Sequence, residues 1–174
     1  MTVKGLRILG MLAAALFLTM LVAPVEAQQG TILGSYRDWD ALVMNRGNGE
    51  KICYLISVPK SKQPSSVTHG EVYITITHRP RRKVTNEVNL VVAYDFRIGS
   101  EVRGSIGPSR FTMFTEGKGA WNYDQSDDTK MVSGMKRGNT LVISATSSRG
   151  TSTSYRFSLA GFTAAYNAMT QECS

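Results

Sequence analysis

His69 and His78 are the only two imidazoles in the chain. Any acyl-transfer chemistry by its many Ser and Thr residues would need one of them as base, and a further group to orient that base. No G-x-S-x-G elbow accompanies them, and His78 falls on the apolar phase of the alternating run EVYITITH (71–78). It reads as a partly buried structural histidine. A hydrolase built on His78 is the weakest of the functional readings.

Metal chemistry has little material. Two cysteines and two histidines do not make a zinc cage. Asp124, Asp127 and Asp128 cluster in NYDQSDDTK but lack the spacing of a calcium loop; Asp127 and Asp128 read instead as caps for a following helix. No glycine-rich phosphate cradle is present, and no cofactor or metal is expected. The densest cationic run is HRPRRK (78–83), with Arg79, Arg81, Arg82 and Lys83 at a strand connection that Pro80 keeps out of ladder pairing. Such runs are ordinary at hairpin ends. Their sharper use is an anion contact, to lipopolysaccharide phosphates, another polyanion or an acidic partner. Nucleic acid is disfavoured because no aromatics interleave with the run to stack bases.

The elements that would position these groups are mostly strands. Residues 1–27 read as a secretory signal peptide: Lys4 and Arg7, an apolar run from Ile8 to Val22, then Val25-Glu26-Ala27 before the cut. The run is short for a spanning helix and lacks a basic stop-transfer cluster, so no transmembrane span is expected after cleavage. No Cys near the cut offers a lipid anchor. Residues 28–174 suit one domain. The chain's formal net charge is +7, which favours encounter with anionic surfaces. Export also puts Cys53 and Cys173 in an oxidising compartment, where pairing is the favoured reading. The alternative is a small buried Cys53 and a free tail thiol at Cys173.

Period-two alternation runs through residues 36–44, 51–58, 71–78, 87–96, 101–106, 110–115, 119–123, 140–147 and 154–159. Gly, Pro, Asn and Asp break the runs. Eight or nine short strands point to an all-β antiparallel sandwich or barrel. In the 51–58 run, Ile52, Tyr54, Ile56 and Val58 take one face, and Cys53, Leu55 and Ser57 the other, which is expected to face outward. Two short helices interrupt the pattern. One spans 127–139, ending at Gly138; the other starts after Gly161 with Phe162, Ala165, Tyr166 and Met169 on one stripe. The hydroxyl-rich TSSRGTSTS stretch (146–154) reads as a turn at Arg149-Gly150 between two strands, its hydroxyls mostly facing water.

In order along the chain stand DW (38–39), CYLISVPKSKQP (53–64), VYITITHRP (72–80), NEVNLVVAYDFRIGSEV (86–102), FTMFTEGKGAW (111–121), MKRGNTLVISATSSRGTSTSYRFSLAGFTAAYNAM (135–169) and a terminal Cys173. This series resembles the invasion-associated locus B family of alphaproteobacterial envelope proteins. The resemblance implies an exported, immunoglobulin-like β-sandwich of the periplasm or outer membrane, a family named for a role in host-cell invasion, and no catalytic residues to carry over. Some members have a Cys four residues after the Trp, where this chain has Val43. The leading expectation is a non-enzymatic interaction protein of the envelope, binding an envelope or host protein and contributing to adhesion or invasion. The alternative is a periplasmic binder of anionic glycolipid, or an envelope-maintenance factor, acting through the four basic residues.

Overall fold

Alternation in sequence becomes alternation in burial. In the computed structural model, which describes residues 30–47 and 49–173, Val72, Ile74 and Ile76 are sealed inside while Tyr73 and Thr75 between them stay half-exposed. The signal peptide expected over 1–27 lies outside the described residues. Eleven strands form: β1 (Thr31–Tyr36), β2 (Trp39–Asn45), β3 (Lys51–Ser57), β4 (Ser61–Gln63), β5 (Val72–Arg79), β6 (Val84–Val92), β7 (Glu101–Ile106), β8 (Ser109–Glu116), β9 (Gly119–Asn122), β10 (Thr140–Thr146) and β11 (Ser152–Ser158). Two helices join them, α1 (Gln125–Arg137) and α2 (Phe162–Glu172), with a 3₁₀ turn at Pro80–Arg82.

All pairings are antiparallel, in the order β1-β2-β3-β5-β6-β9-β8-β7-β10-β11-β4. The chain itself forces this long ladder to fold over. β3 is third from one end and β4 lies at the other, yet Ser57 and Ser61 are four steps apart, a reach of at most about 14 Å. The two halves therefore face each other as a sandwich. Their inner side chains merge into one cluster containing Leu55, Ile76 and Leu90 from one half and Val102, Ile143 and Phe157 from the other. The Trp39 indole stitches the halves by donating to the Ser158 carbonyl at 2.9 Å and meets Phe162 edge-on at 4.9 Å.

Gly161 is where the chain turns into α2. Its φ is +89°, and a Cβ there would sit 1.9 Å from the Tyr36 carbonyl oxygen, so the close passage of β1 and the left-handed backbone both require glycine. Phe162, Ala165 and Met169 then bury on the core.

Several sequence expectations shift. The 36–44 run is not continuous: Arg37, at φ +60°, makes a turn that separates β1 from β2. The ladder strand expected over 87–96 occupies 84–92, and Tyr94 and Phe96 lie past its end. The first helix begins two residues early and its cap is Asp124, whose side chain accepts the Asp127 N–H. Asp128 is no cap. It is buried against the sheet, accepting from Val88 N–H at 3.0 Å and Asn122 Nδ2 at 2.9 Å. The face assignment of β3 is also reversed: Cys53, Leu55 and Ser57 point inward, because the core of this half is set by the partner positions Ala41 and Ile76 across from Leu55.

Candidate functional site

The basic run gathers at the β5–β6 connection, where Lys83 adopts the left-handed conformation and its N–H returns to the Pro80 carbonyl. Arg79 Nη1 reaches both Glu87 oxygens at 2.8 Å. Arg82 Nε meets Glu50 Oε1 at 2.7 Å, a carboxylate only 5% exposed. Arg81 passes over Gly49, and Lys83 lines a shallow cleft with Glu87 and Asp124. The four cations share one connection, as the sequence suggested, but Arg79 and Arg82 already hold carboxylates. Nothing in the residue order signals the second of these pairs, since Glu50 is far from Arg82 along the chain.

Beside this connection lies the disulfide. Cys53 and Cys173 are bonded, with Cα atoms 6.0 Å apart, closing 120 residues. Lys51 pairs with Glu172 at 2.7 Å next to it, so the end of α2 is fixed twice to β3. Val43 stands directly opposite Cys53 across the β2–β3 ladder, and His78 opposite it on the other side.

His78 is buried and serves this junction. Its Nε2 donates to Asn86 Oδ1 at 3.2 Å, an oxygen that also accepts the Tyr166 hydroxyl at 2.7 Å, and its ring meets Tyr166 edge-on. Lys136 caps the other side of Tyr166, 3.5 Å from the ring centroid. Burial lowers the His78 pKa; the Asn86 bond opposes that and Lys136 adds to it. His69 is likewise buried, its Nε2 donating to the Pro64 carbonyl at 3.0 Å and its Nδ1 lying 3.1 Å from the Tyr155 hydroxyl. Tyr155 continues to Tyr94, and Tyr94 to Thr153, in a chain of hydroxyls. Among the described residues, no group of three or more His, Cys, Asp or Glu could hold a metal ion.

A broad concavity lies elsewhere, on the outward face of β7, β10 and β11. It encloses about 980 Å³, toward the upper end of small-molecule sites at about 300–1,000 Å³. Register builds its floor: Arg103 stands opposite Ser144, Ser144 opposite Ser154, and Ser154 opposite Gln63, a straight polar row over four strands. Thr146 and Ser152 form the next rung. Its wall is aromatic. Phe114, across from Glu101 on one side and Trp121 on the other, stacks on Trp121 at 5.9 Å and 28° and meets Tyr123 at 5.5 Å. Tyr123 is 57% exposed and donates to Glu101 Oε1 at 3.0 Å. Gly119 leaves the space that the Trp121 ring occupies against the sheet.

Sequence reasoning took the 146–154 hydroxyls as solvent-facing and missed this groove. The outward phase of β8 and β9 carried the signal, with Phe114 and Trp121 on positions that ought to be polar.

The family model described as Invasion associated locus B (IalB) protein matches residues 39–170, from the first buried Trp to the last turns of α2. The chain belongs to the invasion-associated locus B family. No curated protein matches it, and no solved structure does. For this IalB protein, the disulfide is compatible with export to an oxidising compartment. Among the described residues no helix is long and apolar enough to cross a membrane.

Proposed function

We propose that this IalB protein is a non-enzymatic interaction module of the cell envelope, outer-membrane associated or secreted, that contributes to adhesion to host cells or their invasion. The observation that carries the reading is the broad outward groove with its exposed aromatic wall, since a surface of that shape serves contact rather than core packing. Family membership supports the setting. The loop beside the groove adds to it: Ile98 is fully exposed next to Gly99 and Ser100, which line the groove. Both histidines are engaged by structural partners, which favours binding over chemistry.

The anionic-glycolipid reading through Arg79, Arg81, Arg82 and Lys83 draws less from the geometry, because two of those guanidiniums face carboxylates. Fractionation with surface proteolysis tests the proposal. The chain should leave the cytoplasm and be cut on intact cells, and a deletion strain should adhere less until the gene is restored. Full protection from protease together with unchanged adhesion would overturn it.

A further inference from the structure

We propose that the outward groove binds an extended, β-linked pyranose oligosaccharide laid across β4, β11, β10 and β7, with a sugar ring seated on Phe114 and Tyr123. This rests on the interaction-module reading and names its ligand class.

Three observations converge on sugar chemistry. First, the floor presents side chains that both donate and accept: the Ser144 and Ser154 hydroxyls and the Gln63 amide, flanked by the Arg103 guanidinium. A carbohydrate, which carries a hydroxyl on almost every carbon, is the ligand that satisfies such a row. A peptide strand would look instead for an open backbone edge, and these strands are interior to the ladder except β4. Second, the row crosses the strands at the interstrand spacing of about 4.8 Å. That step is close to the advance per sugar in an extended β-linked chain, so successive sugars meet successive strands. Third, the wall offers flat π faces. One face of a pyranose bears axial C–H groups that are apolar and slightly positive, complementary to the negative face of an aromatic ring. Phe114 is held by ring contacts with both Trp121 and Tyr123, so little side-chain freedom is lost when a sugar docks.

The charge of the groove agrees. Glu101 and Arg103 project from the same face of β7, one acidic and one basic, giving a floor with no strong preference for an anion. Both are planar, multidentate groups of the kind that grip vicinal hydroxyls. Glu101 is already oriented by the Tyr123 hydroxyl.

The test uses the exported chain with its disulfide intact, titrated with cellohexaose and chitohexaose. Trp39 is 1% exposed, so a change in tryptophan emission reports Trp121, which stacks on the groove residue Phe114, and calorimetry measures binding independently of that signal. A saturable response to at least one probe is expected. Maltohexaose, whose α-linkages coil the chain, should bind at least tenfold more weakly. Tyr123→Ala and Arg103→Ala, both at solvent-facing positions, should each weaken binding at least tenfold with an unchanged circular dichroism spectrum. Absence of saturable binding to both β-linked probes by calorimetry overturns the proposal, as does undiminished affinity in both variants. If the sugars fail while a photo-crosslinker at position 123 captures a protein on host cells, the interaction module stands and its glycan ligand falls. Sugar binding with normal adhesion of the deletion strain has the opposite meaning.

Discussion

Asp128 Oδ1 accepts the backbone N–H of Val88 at 3.0 Å, tying α1 to a core strand through a buried carboxylate. Burial raises the pKa of that group from 3.8, against the pull of Val88 and Asn122. Replacing Asp128 with Ala removes the acceptor and leaves a buried donor unmet, a loss of about 1–3 kcal/mol. Asp128→Asn keeps an acceptor oxygen and should cost much less. Urea titration separates the two. The sign with pH is opposite to that of a salt-bridged carboxylate: from 3.8 up to the raised folded value the native state holds this proton more tightly, so the group's contribution falls as pH rises through that window. That component of the slope should be absent in Asp128→Asn.

The disulfide gives a second prediction. Closing 120 residues should stabilise the fold by about 4–5 kcal/mol in the chain-entropy picture. Cys173→Ser, or reduction of the native protein, should lower the urea midpoint accordingly. An unchanged midpoint would mean that the core holds α2 without the bond.

His78 predicts a pH dependence of the opposite sign, also on the acid side of neutrality. Its folded pKa lies below 6.5 because it is buried, so the unfolded chain takes up a proton first as pH falls. Its contribution is complete above 6.5 and is lost progressively as pH drops toward the folded value. His78→Asn should flatten that part of the stability curve. A slope identical to wild type would show that another group titrates there.

Gly161→Ala tests the passage into α2. The left-handed backbone alone costs about 1–3 kcal/mol for a residue with a Cβ, and contact with the Tyr36 carbonyl adds to it. The midpoint should fall further than for Gly150→Ala, where φ is also positive but no atom lies within 4 Å.

Much of this architecture was readable in residue order. The alternation of Val72, Ile74 and Ile76 named its strand and its inner face, and the pairing of Cys53 with Cys173 was the favoured reading for two thiols behind a leader-like segment. What escaped was whatever depends on partners far apart in sequence. The inner face of β3 was misread because Ile52, Tyr54 and Ile56 look more apolar than Cys53, Leu55 and Ser57; neighbouring strands decide the matter, and Ser57 is accommodated by giving its hydroxyl to the Asp38 carbonyl at 2.7 Å. β4 is three residues long, too short to show a period. The polar floor of the groove was illegible because its row comes from register across four strands, whereas its members look like scattered loop hydroxyls along the chain.

The eleven-strand ladder has two ends, and an unpaired strand end is a template for recruiting a neighbour. Here one end is the short β4, with Lys62 at its centre and Pro64 just beyond, and the other is β1, whose pairing is broken between Ile32 and Gly34. Neither offers a long flat rim to a second copy. Copies at high local concentration therefore meet no open edge along which to zip into fibrils.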